Sequence, residues 1–450
     1  MRPKITNFLF VSIIALFLFG VTNAQGQKMT GQKMGQTMMG QTMGQKLGYS
    51  LISEDQGSIL QKNSKELFAP ASVLKLLTSI AVLKSYPPSY QFKTDILYDY
   101  IENGKINKLI IKGGGDPLFT TESLFEIFSL VKASGIQDIN QIYLDDTLFS
   151  EKIASSGTNP YQAGLSPLSI NFNTAEINQF LKTTNFRDLR KKRTIAGKEL
   201  EIVSEFNDSI LRAPDFSDNL LRVNLATIDV RENFIYNLRY VLSTFDIKFS
   251  KITYVDSPIN LSEYEVFYTH KSEELIYILR LMNQYSSNFI ANQLGFLLGC
   301  EGERCSYEKG LDKLRGIFLE ILGEGNQSNF IIRDFSGLSA ENRVSPWMIA
   351  SMLSKSLKDP LIEPYLRSTL CIFGVSGTLK KRKIRDISGE ESVNILAKTG
   401  SINGVVTISG FIRSKQGKRL SFSIFHNEIS DPALAEREAE DLIKQFYLLN

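Results

Sequence analysis

The chain has 450 residues, with 51 Lys and Arg against 48 Asp and Glu and a formal net charge of +3. A balance so near neutral makes no case for a nucleic-acid partner, whose affinity rests largely on phosphate neutralisation. The length leaves room for two or three domains.

Arg2 and Lys4 precede an apolar stretch from Phe8 to Val21, which ends at Thr22-Asn23-Ala24. This pattern reads as a secretory signal peptide over residues 1–24, since the apolar run is short for a bilayer span and a small residue stands at the cleavage point. The expected location is therefore across the inner membrane, periplasmic or cell-wall associated, with no integral span after cleavage. Residues 25–46 repeat Gly-Gln-(Lys/Thr)-Met with variations and lack any apolar period. They read as a low-complexity linker. Thioethers suit copper(I), but a repeat of this kind needs no ligand, and no cofactor is expected.

Tyr49–Ser53 and Ser58–Gln61, joined by Glu54-Asp55-Gln56-Gly57, read as a hairpin leading to Pro70. From Ser72 the residues are almost wholly apolar until Pro87-Pro88, so a buried helix is predicted from about Ser72 to Tyr86. Ser72 and Lys75 are three apart and share a face of that helix. A lysine buried there loses solvation, its pKa falls, and a neutral amine beside a hydroxyl can take the hydroxyl proton. Ser72 is thus the candidate nucleophile and Lys75 its base.

Gly113-Gly114-Gly115 follows a strand-like segment at Lys108–Ile111. It reads as a tight turn and not a phosphate cradle, because Asp116-Pro117 comes next and no Lys-Ser/Thr does. Further strand-like segments occur at Gln141–Leu144, Leu200–Val203 and Leu220–Leu225, with a helix near Glu232–Leu242. Glu273–Asn283 and Phe289–Leu298 have helical apolar spacing, which sets Ser286-Ser287-Asn288 in a short helix–helix connection. Read alone, Ser287 or Asn288 is simply an N-cap there. Cys300 and Cys305 can close a disulfide across Glu301–Arg304 in an oxidising compartment, leaving Cys371 unpaired.

Lys398-Thr399-Gly400 lies on a predicted strand, Val393–Ser401. Asn403-Gly404 then gives a hairpin signal, and strands at Val405–Ile412 and Leu420–His426 complete an antiparallel meander. Asp431 caps and Pro432 opens a final helix whose apolar face holds Leu434, Leu442, Ile443 and Phe446. It is expected to pack on the sheet. His270 and His426 are the only histidines, both in or beside predicted core segments, so a histidine triad or zinc site finds no support.

S-x-x-K, S-x-N and K-T-G in this order form the signature set of serine penicillin-recognising enzymes. Pro70–Leu76, Gly113–Pro117 (GGGDP), Asp334–Pro346 (DFSGLSAENRVSP) and Gly374–Arg382 (GVSGTLKKR) extend the match. With them the chain resembles the penicillin-binding D-alanyl-D-alanine carboxypeptidases/endopeptidases of the class C, peptidase S13 type, from about Leu47 to Asn450. Ser287 stands where that family often has Asp, and Cys371 where it usually has Pro.

The resemblance implies an α/β (α+β) fold: a penicillin-binding, β-lactamase-like transpeptidase domain with an antiparallel sheet and helices, interrupted by two small, mostly β, inserted domains. The catalytic domain would be discontinuous, 47–92 with 270–450. The inserted domain would comprise 93–155 with 229–269, and 156–228 would be nested within it. The implied substrate is peptidoglycan stem peptide, with β-lactam antibiotics as covalent inhibitors. Ser286 would relay a proton to the leaving amine beside Lys398, and Asn288 would orient the substrate amide. Lys398 and Thr399 would bind the terminal carboxylate, and Gly400 and Ser401 would line the site, the Ser72 and Ser401 N–H groups forming the oxyanion hole. A β-lactamase and a silent penicillin-binding sensor or scaffold are the rival readings. The long insertion and the SGLS and GTL blocks disfavour the first, and the intact Ser72, Lys75, Ser286 and Lys398 disfavour the second.

Overall fold

The computed structural model describes residues 45–157, 159–178, 190–195, 198–203, 222–226, 229–302, 304–323 and 329–449. The expected signal peptide and all but the last two residues of the expected linker lie outside them. The described residues belong to one unit, Gly44–Asn450.

A six-stranded antiparallel sheet runs in the order Cys371–Ile372, Ile395–Ile402, Val405–Arg413, Arg419–Asn427, Lys46–Ser53, Gly57–Lys62. Strand alternation sorts its side chains to two faces. Ile408, Ile412, Phe422 and Ile424 pack with Ala439, Ile443 and Phe446 of the C-terminal helix, Pro432–Leu448. Phe411 and Phe425 join the opposite cluster, with Met348 and Met352 of the helix Pro346–Ser356. The strand Val405–Arg413 is consequently buried at every residue through Ile412. Asp431 caps the last helix as expected, accepting from Ala433 N and Leu434 N, while Leu434 itself points outward at 36 % exposure. Ile402 and Val405 are joined through Asn403-Gly404, but only Gly404 is left-handed (φ 72°), so the turn is not the type I′ that this dipeptide favours.

Helices Lys75–Ser85, Leu275–Tyr285, Asn288–Leu298 and Tyr307–Leu322 share the second cluster. The first of them is buried at every residue through Leu83, the consequence of being apolar on all sides.

A second sheet is ordered Lys248–Tyr254, Asp138–Asp145, Lys105–Lys112, Lys93–Tyr98, Glu265–Lys271. It has its own core with helices Thr121–Ala133 and Val230–Thr244, centred on Phe128, Phe234 and Leu238. The glycine run, expected to turn, instead continues past the strand Lys105–Lys112, with Gly113 N donating to Asp145 O and Gly115 N to Pro167 O. The turn comes at Pro117-Leu118, where Asp116 Oδ1 accepts from Leu118 N at 2.8 Å. A four-stranded antiparallel sheet, Arg222–Ala226, Thr174–Asn178, Lys198–Val203 and Arg190–Ile195, lies within this stretch of sequence.

The long stretch between the catalytic motifs abuts the helix that starts at Asn288. Phe149 stacks on Phe296 at 3.8 Å, and Gln293 Nε2 donates to Ser166 O at 2.7 Å. A Cys300–Cys305 disulfide closes the loop after that helix, and Cys371 is a buried free thiol. Among the described residues no helix is long and apolar enough to cross a membrane.

Candidate active site

Ser72 lies in a 3-10 turn, Ala71–Leu74, that leads directly into the helix Lys75–Ser85. The predicted single helix is thus wound tighter at its start. Ala71 is left-handed at φ 46°, a strained conformation for a residue with a Cβ. The loop carrying Ser336 and Gly337 packs against it so closely that a Cβ on Gly337 would lie 1.8 Å from Ala71 O. Asp334 shapes that loop, accepting from the backbone N–H groups of Ser336, Gly337 and Ser339 and from Asn342 Nδ2.

Lys75 is fully buried. Its Nζ is 2.9 Å from Ser72 Oγ, 2.7 Å from Asn288 Oδ1 and 2.7 Å from Ser336 O. Two of these three partners are oxygens that can only accept. A neutral amine therefore spends both of its N–H bonds on Asn288 and Ser336, and its lone pair is left facing the Ser72 hydroxyl. Burial holds the Lys75 pKa well below the usual lysine range, the positive charge of Lys398 adds to this, and Asp334 works against it.

Ser286 ends the helix Leu275–Tyr285 in a left-handed conformation, φ 59°. Ser287 caps the next helix by accepting from Ile290 N. This accounts for Ser in place of Asp at that position, since both are good N-caps. Lys398, also fully buried, donates to Ser286 Oγ at 2.9 Å and to Thr399 O at 2.5 Å. Burial pushes its pKa down to about 8, with Cys371 opposing the shift. Burial thus lowers both lysines, and Lys398, at about 8, is still a cation at neutral pH.

Gly400 brings the strand Ile395–Ile402 onto the nucleophile turn. A Cβ there would lie 2.8 Å from Ser72 N and 3.0 Å from Pro70 O. Thr407, on the neighbouring strand, fixes the contact by donating to Pro70 O at 2.8 Å. Ser401, the next residue, is exposed, and Thr399 Oγ1 sits 2.8 Å from Thr378 Oγ1. Direct hydrogen bonds therefore link the five residues in two groups, Ser72–Lys75–Asn288 and Lys398–Ser286, and Thr399, Gly400 and Ser401 follow Lys398 on its strand. Neither histidine joins them: His426 Nε2 is 3.2 Å from Glu438, and His270 lies near Asp116 and Glu126.

Sequence reasoning passed over Asp334, Ser336, Thr378 and Thr407. The first three lie in the quoted DFSGLS and GTL blocks, where their presence was the available signal. Thr407 had none, because a threonine on a buried strand looks like any β-branched residue.

The sequence profile of the D-Ala-D-Ala carboxypeptidase 3 (S13) family matches residues 37–204 and 222–446. The chain belongs to this family. As an S13 enzyme it is a serine peptidase with the penicillin-binding fold. It is 25 % identical over 438 residues to D-alanyl-D-alanine carboxypeptidase DacB of Haemophilus influenzae, covering 90 % of each chain. It is 26 % identical over 444 residues to the D-alanyl-D-alanine carboxypeptidase of an Actinomadura species, covering 87 % of this chain and 78 % of the other. The crystal structure of penicillin binding protein 4 from H. influenzae shares the fold at a TM-score of 0.75 and 22 % identity, covering 91 % of this chain and 98 % of that one.

Proposed function

We propose that this S13 peptidase hydrolyses D-Ala-D-Ala bonds at the ends of peptidoglycan stem peptides, and the cross-links derived from them, through an acyl-enzyme on Ser72. Lys75 takes the proton of Ser72 Oγ as that oxygen adds to the carbonyl carbon. The N–H groups of Ser72 and Ser401 hold the oxyanion, the first of them at a helix start. Collapse breaks the C–N bond, and the departing amine receives a proton through Ser286, beside the Lys398 cation. Asn288 orients the substrate amide, and Lys398 and Thr399 bind the carboxylate. Water then releases the acyl group from Ser72.

The observation that carries this reading is the Lys75 amine, buried, with two obligate acceptors on its N–H bonds and Ser72 Oγ at 2.9 Å. The names of the curated relatives support the substrate. A relative in structure, a predatory endopeptidase of Bdellovibrio bacteriovorus, has been captured acylated by penicillin G, which supports β-lactams as covalent ligands. The division into a catalytic domain (47–92 with 270–450), an inserted domain (93–155 with 229–269) and a nested one (156–228) belongs to the same proposal. So does a periplasmic or cell-wall location, which the Cys300–Cys305 disulfide supports. Purified protein incubated with a pentapeptide ending in D-Ala-D-Ala should release free D-alanine. Rapid nitrocefin turnover without D-alanine release would overturn the reading in favour of a β-lactamase.

A further inference from the structure

The turn between Cys371 and Lys380 has no part in the reaction just described, yet it reaches the cleft. Its backbone is tightly held: Ile372 N donates to Ser376 Oγ at 3.0 Å, Ser376 N to Ile372 O at 3.1 Å, and Gly374 N to Leu379 O at 3.1 Å. Gly377 takes φ 54°, and a Cβ there would lie 2.5 Å from Cys371 Sγ and 2.6 Å from Gln284 O. The turn is therefore pressed onto two elements of the site at once, the helix ending at Ser286 and the strand pair joining Cys371 to Ala397.

Out of this rigid turn Thr378 projects an exposed side chain, and its Oγ1 lies 2.8 Å from Thr399 Oγ1. Beneath it Cys371 is fully buried, with Sγ 3.6 Å from Thr378 Oγ1 and 3.7 Å from Gln284 O. The carbonyl of Gln284 can only accept, so the thiol proton is directed there, and the single Thr378 hydroxyl proton has Cys371 Sγ and Thr399 Oγ1 as alternative acceptors. The two threonine hydroxyls stand side by side at the surface, and Lys398, the residue before Thr399, donates to the Thr399 carbonyl at 2.5 Å. In the free enzyme one of the two hydroxyls donates to the other. A carboxylate placed against them can take a proton from each, one per oxygen, because hydroxyl hydrogens rotate freely.

We infer that Thr378 is a second carboxylate-binding residue, acting with Thr399 on the free C-terminal carboxylate of the substrate. The inference rests on the D-Ala-D-Ala reading for the peptide substrate, but the site it describes recognises any ligand whose carboxylate is held beside the reactive carbonyl. A β-lactam carries such a group as well.

The test compares wild type, Thr378→Val and Thr378→Ser on pairs of ligands that differ only in that carboxylate. With a peptide ending in D-Ala-D-Ala, Thr378→Val should raise KM about tenfold, the value of one hydrogen bond to a charged group, and leave kcat nearly unchanged. The same peptide as its C-terminal amide should be handled alike by wild type and Thr378→Val. Thr378→Ser, which keeps the hydroxyl, should restore the wild-type KM. Equal losses on acid and amide, or no loss on the acid, would overturn the inference. If wild type releases no D-alanine, the substrate reading fails by itself. The inference is then decided by acylation with benzylpenicillin and its methyl ester: Thr378→Val should be slowed about tenfold on the acid alone, and equal rates on the acid would overturn it.

Discussion

Gly400→Ala puts the smallest possible side chain where the K-T-G strand meets the nucleophile turn. The added Cβ would lie 2.4 Å from Thr407 Oγ1, 2.8 Å from Ser72 N and 3.0 Å from Pro70 O. Ordinary contact begins near 3.4 Å, so relief requires the strand to retreat from Ser72 N by about 0.6 Å, and by more from Thr407. The neighbours cannot give way easily. Two of them are backbone atoms, and Thr407 Oγ1 is tied to Pro70 O by a 2.8 Å hydrogen bond. Retreat also carries Ser401 away from Ser72, opening the pair of N–H groups proposed to hold the oxyanion. A misplacement of this order costs about a hundredfold in rate. The assay is covalent labelling by a fluorescent penicillin at limiting concentration, with thermal unfolding followed by circular dichroism as the control. A well-folded Gly400→Ala protein that labels within about threefold of wild type would refute the close-approach reasoning.

Lys75→Arg keeps the charge but supplies a guanidinium that does not give up its proton, so acylation should fall by at least about a thousandfold. Near-normal labelling in a folded variant would remove Lys75 as the base. The pH profile of acylation follows from the two lysines. Activity should rise as Lys75 loses its proton, well below the usual lysine range, and fall as Lys398 loses its own at about 8. An acylation rate that keeps climbing through the ordinary lysine range would contradict both assignments.

Much of the site was legible because it depends on contradictions in local sequence. A lysine inside a helix with no polar face had to be stabilised by something, and Lys75 proved to be fully buried between Ser72, Asn288 and Ser336. The polar break between two apolar helical runs placed Ser286 and Ser287 in the connection, although Asn288 already opens the second helix, and the Asn403-Gly404 signal placed the K-T-G strand. What was hidden is three-dimensional. Nothing in Pro70-Ala71-Ser72 announces that Ala71 is left-handed, or that its carbonyl packs against Gly337, more than 260 residues away. Likewise Thr407 and Thr378 look ordinary until the strands pair and the turn folds over Cys371. The expected strand from Val393 in fact begins at Ile395, because Ser388 caps a short helix, Gly389–Ser392, just before it.

The central claim is that Ser72 carries the acyl group. Benzylpenicillin should add its full mass to the wild-type protein, and tryptic mapping should place the adduct on the peptide holding Ser72. The Ser72→Ala protein, folded by circular dichroism, should take up none. An adduct on any other residue, or undiminished labelling of Ser72→Ala, would contradict the mechanism from its first step.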